Sequence, residues 1–199
     1  WGLWFVKFQR GEYPEAIEAG KQLLATAQKG DDTGQLLEAH HSIWPTLVAM
    51  GENKTAIAHM ERGIALYDRE RHASQTYVYG GHDPGACCHW HLAHSRWALG
   101  FPDAALSASQ EALRLAEELR HATTTGIALW YSAVLHYQRG EGQAAAADAE
   151  RAVSMASSHG LASYIDSIMV LHHAGSDERL NIKVLADLRP VPGSPWFMV

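Results

Sequence analysis

The chain has 199 residues, 47% hydrophobic and 19% charged, which is ordinary composition for a globular protein with a buried core. No run approaches the roughly 18 uninterrupted apolar residues of a membrane span, so no membrane partner is expected. The formal net charge of −6, without a basic stripe, argues against nucleic acid as a partner.

In chain order, the opening "WGLWFVKFQR" is too short and wrongly flanked for a signal peptide, and its apolar spacing predicts a helix over 1–10. From a first residue of Trp rather than Met, an excised or processed piece of something longer is expected. "RGEYPEAI" follows, with Gly11 and Ala16, and then a second helix over 13–29. The pattern returns as a helix over 34–50, "MGENKTAI" with Gly51 and Ala56, and a helix over 53–70. A longer connection, Arg71 to His82, leads to a helix over 84–99, "LGFPDAAL" with Gly100 and Ala105, and a helix over 102–120. The fourth unit has helices over 122–139 and 142–158 about "RGEGQAAA", with Gly140 and Ala145; a weaker fifth first helix, over 161–174, ends at Gly175.

The joint glycines are separated by 40, 49, 40 and 35 residues, a period of about 40. A helix that stops and reverses needs a permissive residue at its C-terminal cap, which glycine supplies. The Ala five positions on falls in the first turns of the next helix, where a small side chain lets two helices approach closely. Asp83-Pro84 is the clearest helix start, since Asp caps free N–H groups and Pro suits the first helical position. The alternative for this region is a mobile lid built on Gly80-Gly81. Pro45, inside a helix, predicts a kink or break.

Gly followed by Ala at this offset between paired helices resembles the tetratricopeptide repeat over about residues 1–175, with a period longer than the usual 34 or so and without the closing proline. The stretch "YGGHDPGACCHWHLAHSRWALGFPDAALSASQEALRLAEELRH" with "ALWYSAVLHYQRGE" is similar to the C-terminal repeats of bacterial signal-transduction ATPases fused to class III adenylate or guanylate cyclase domains. The resemblance implies an all-α, right-handed α-solenoid of four to five hairpins, with nucleotide-binding and cyclase modules upstream. The domain division is then 1–175, a helical repeat domain, and 176–199, a C-terminal helix remnant and Pro-rich tail.

Counting back 10, 6 and 3 residues from each joint glycine gives Trp1, Phe5 and Phe8; His41, Pro45 and Val48; Trp90, His94 and Trp97; and Trp130, Val134 and Tyr137. These spacings lie on one helical stripe. By the resemblance, that stripe lines the concave groove of the superhelix and receives a protein or peptide, so Trp1, Phe5, Phe8, His41, Trp90, His94, Trp97, Trp130 and Tyr137 are the candidate binding residues. The competing reading of any one of them is plain core.

Residues 79–100 hold two cysteines, four histidines and two tryptophans. Cys87, His91 and His94 share a face of the 84–99 helix, but a fourth ligand is missing from the sequence pattern, so no metal is expected there. Cys87 and His94 read as groove lining and His89 as exposed. Cys87 and Cys88 are adjacent, too strained for a mutual disulfide, and fit a cytoplasmic setting. His40-His41 and His172-His173 each read as a pair with one surface member. Glu111 with Arg114, and Glu117 with Arg120, read as surface pairs three residues apart.

No HExxH, no G-x-S-x-G and no phosphate-binding loop is present, so no catalytic residue and no cofactor is expected. The tail "DLRPVPGSPWFMV" reads as extended, with Trp196, Phe197 and Met198 available to dock in a groove. The expected role is a non-catalytic protein-interaction or regulatory module. The alternatives are a small-molecule sensor using the same groove and a structural block that forms a homodimer.

Overall fold

A computed structural model describes residues 1–159, and every regular element among them is helical. The elements are α1 (Gly2–Gln9), α2 (Tyr13–Ala27), α3 (Thr33–Ala49), α4 (Asn53–Leu66), α5 (Arg69–His72), α6 (Pro84–Ala98), α7 (Pro102–Leu119), α8 (Ala122–Gln138) and α9 (Gly142–His159). Each expected helix of the first four units is present within a few residues of its predicted bounds. The helix expected over 161–174, His172, His173 and the tail lie outside the described residues, and so does the proposed boundary at 175.

The joints follow from local hydrogen bonding. At the first, Gly11 N–H donates to Phe8 O and Glu12 N–H donates to Lys7 O, both at 3.0 Å. The same pair of bonds recurs at Gly51, Gly100 and Gly140. This is the Schellman arrangement, which satisfies carbonyls at the end of a helix only if the capping residue turns left-handed. The four glycines do so, with φ of 71°, 78°, 84° and 75°. Five residues on, Ala16, Ala56, Ala105 and Ala145 are each fully buried. A larger side chain there would drive apart helices that meet at those positions.

Packing joins near neighbours. Besides their hairpin partners, α2 packs on α3, α4 on α6 and α7 on α8, while α1, α3, α6 and α8 touch in succession. The main core gathers Leu37, Trp44, Met60, Trp90, Leu92, Ala112, Ile127 and Leu135 from α3 to α8. A smaller cluster of Trp4, Ala16 and Ala19 belongs to α1 and α2.

The connection between α4 and α6 is built rather than open. Asp68 caps α5 by accepting from the N–H groups of Glu70 and Arg71, and a 3-10 turn follows over Ala73–Tyr77. Asp83 caps α6 as expected, accepting from Ala86 N–H at 2.8 Å. It is also fully buried and accepts a 3.0 Å bond from Tyr67 Oη, while its own N–H donates to Thr124 Oγ1. The segment that carried the alternative reading of a lid is therefore fastened at both ends.

Two local expectations change. Pro45 does not break its helix, since α3 runs from Thr33 to Ala49 with the proline inside it. Glu111 pairs with Arg114, but Glu117 pairs with Arg151 at 2.6 Å instead of with Arg120. Arg120 ends α7 at φ 53°, so its side chain leaves the helix surface that carries Glu117. Cys87 and Cys88 are both free and buried. No described helix is long and apolar enough to cross a membrane.

Candidate functional site

The aromatic stripe divides by depth. Trp90 and His41 are 1% and 2% exposed, which removes both from any surface a partner reaches. The reason is their place in the stack: α3 and α6 are covered on both sides, by α1, α2 and α4 and by α3, α4, α7 and α8 respectively. Trp90 stacks on Tyr131, with ring centroids 5.4 Å apart and planes 12° from parallel. Trp1, Phe8, Trp97, Trp130 and Tyr137 are half-buried, and Phe5 is exposed. His94 is half-buried and its Nε2 donates to Tyr131 O at 3.0 Å.

One register position behaves alike in all four units. Phe8, Val48, Trp97 and Tyr137, each three residues before a joint glycine, are all half-buried. Each keeps part of an apolar side chain open beside a reversal of the chain. A separate cleft of about 730 Å³ opens between α7, α8 and α9, with Arg120, Leu129, Arg151 and Met155 in its walls, and it includes none of the nine candidate residues.

A second arrangement centres on His41. Its Nδ1 donates to Glu38 Oε2 at 2.9 Å, and its Nε2 lies 3.3 Å from both Cys87 Sγ and His82 Nε2. His82 in turn donates from Nδ1 to Gly80 O at 3.0 Å. All four side chains are buried. Indoles surround them: Trp44 stacks on His41 at 4.9 Å, Trp1 lies 5.9 Å away, and Trp90 lies 5.3 Å from His82.

Burial disfavours the charged form of each ring, yet the two histidines respond in opposite directions. For His41, burial is outweighed by its neighbours Cys87 and Glu38, which hold the imidazolium up to about 10. For His82, burial and then the His41 charge push the ring down to about 3. The thiol, imidazole and carboxylate follow the order of an activated nucleophile. Cys87 is only 1% exposed, however, so a bulky substrate does not reach its sulfur in this conformation.

The sequence reading set Cys87 beside His91 and His94 on one helical face; the fold pairs it instead with His41 and His82, from a different helix and a loop. His40, expected to share the pair with one surface member, is itself buried at 9% exposure, and its Nδ1 lies 2.9 Å from His59 Nδ1. His89 is half-buried rather than exposed. Glu38, Trp4, Trp44 and His82 escaped the stripe count because none stands 10, 6 or 3 residues before a joint glycine.

No protein-family model matches the chain. An uncharacterised protein of Rhizobium meliloti (strain 1021) is 26% identical over 140 residues, covering 70% of this chain. The match spans 13% of that relative's length.

Proposed function

We propose that this chain is a non-catalytic protein-interaction or regulatory module of a larger bacterial signalling ATPase or cyclase. It is a right-handed α-solenoid of tetratricopeptide-like hairpins, and a protein or peptide lies along the row Phe8, Val48, Trp97 and Tyr137. The observation that carries this reading is the uniform half-burial of that row in four successive units. Succession of α1, α3, α6 and α8 keeps the row in register, as stacking does in repeat proteins. Half-buried aromatics suit anchoring, because they offer large rigid contact area at low entropy cost. A much longer bacterial relative supports the placement within a larger protein.

The test compares two tryptophans of the same helix. Trp97→Ala keeps the helical fold and loses the partner recovered by affinity capture with the native chain, whereas Trp90→Ala costs roughly 3–5 kcal/mol of stability as a buried aromatic truncation. Undiminished capture by a folded Trp97→Ala chain overturns the assignment.

A further inference from the structure

We propose that His41, His82 and Cys87 bind one zinc ion, held between α3, the turn before α6 and the first turn of α6. The three ligand atoms lie within 4.8 Å of one another. With zinc–nitrogen bonds of about 2.0–2.1 Å and a zinc–sulfur bond of about 2.3 Å, tetrahedral geometry sets nitrogens about 3.3 Å apart and nitrogen from sulfur about 3.6 Å. The separation of the two Nε2 atoms is 3.3 Å and that of His41 Nε2 from Cys87 Sγ is 3.3 Å.

The outer contacts aim the right atoms inward. Gly80 O only accepts, so the proton of neutral His82 is on Nδ1 and its Nε2 lone pair faces the cluster. The Glu38 carboxylate fixes His41 the same way, as carboxylates do for metal-bound histidines. Once the proton that His41 Nε2 holds is displaced, two imidazole lone pairs and a sulfur converge on one point, where that single proton serves two of the three atoms and a cation serves all three. Charge selects the ion. Glu38 is 2% exposed, its Oε1 lacks a hydrogen-bond partner among the described residues, and an unbalanced buried carboxylate is costly. A divalent ion with the Cys87 thiolate and Glu38 makes the cluster neutral, and the mixed imidazole and thiolate set suits zinc. Binding displaces to solvent the one proton shared by His41 Nε2 and Cys87 Sγ. The exposed Gly80-Gly81 turn, at φ 73° in both residues, gives the ion its route to His82.

The experiment titrates the full chain with Zn²⁺ against a chromophoric chelator, and with Co²⁺ as a spectroscopic substitute. The expected result is one equivalent per chain and a thiolate-to-cobalt charge-transfer band. Cys87→Ala and His82→Ala weaken zinc binding by more than about 100-fold, Glu38→Gln by about 10- to 100-fold, and Cys88→Ala, which removes an equally buried thiol, leaves it unchanged. Circular dichroism checks each fold. If the ligand variants do not fold, the native chain decides: a cobalt spectrum without the thiolate band overturns the proposal. So does zinc binding that persists in folded Cys87→Ala and His82→Ala chains, which marks binding at surface histidines.

Discussion

His94 is a base kept neutral by its surroundings. Burial is the first cause, and it outweighs the bond to Tyr131 O, which favours the protonated ring, to leave the group at about 4 against an ordinary 6.5. Above pH 6.5 the ring is neutral whether the chain is folded or not, and its contribution to stability is complete. As the pH falls toward 4 the unfolded chain takes up a proton that the folded chain refuses, so stability declines, by roughly 3 kcal/mol at the lower limit. His91, one turn earlier and also held neutral by burial, acts in the same direction. The informative quantity is therefore a difference between variants. His94→Gln retains an N–H donor for Tyr131 O and does not titrate, so urea unfolding of this variant loses less stability between pH 7 and pH 4.5 than the native chain does. Equal losses in the two chains would show that His94 is protonated in the fold.

At the scale of the element, the joint glycines define the hairpins. At Gly51 a Cβ would meet no atom within 4 Å, and the φ of 78° is the whole obstacle to a side chain. Gly51→Ala thus loses about 1–2 kcal/mol in chemical denaturation through backbone conformation alone, and Gly51→Asn loses less, because Asn tolerates the left-handed region. An Ala variant as stable as the native chain would mean that the joint re-forms with a different cap. These joints were legible in the sequence because a left-handed cap leaves a chemical mark at one position, and the buried Ala five residues later leaves another. Depth along the stripe was not legible. Counting from the glycines treats Trp1, His41, Trp90 and Trp130 as equivalent, yet α3 and α6 are covered on both sides and bury His41 and Trp90, while Trp1 stays half-buried at the first helix. The His41 cluster is harder still to foresee, since residues 41 and 46 positions apart meet only after α3 packs on α6.

The described helices are held together by neighbour-to-neighbour contacts, and the first hairpin need not open together with the centre. The α1–α2 hairpin has its own small cluster of Trp4, Ala16 and Ala19, whereas α6 contributes six buried residues to the large one, Trp90 and Leu92 among them. The hairpin is tied to the rest by Ile17 and Leu24, which reach the large cluster, by the contacts of Trp1 and Trp4 with His41, and by the 2.9 Å bond from Trp4 Nε1 to Thr46 Oγ1. Regions with fewer buried contacts open at lower free energy. Native-state hydrogen exchange should therefore find the amides of α2 exchanging at least about tenfold faster than those of α6. Trp4→Phe removes the indole donor while leaving an aromatic ring in place, and Thr46 Oγ1 still donates to Ser42 O. It should accelerate exchange further in α1 and α2 and leave α6 unchanged. Equal protection of α2 and α6 in the native chain, with both falling together in Trp4→Phe, would instead establish a single cooperative unit in which the first hairpin is as firmly held as the centre.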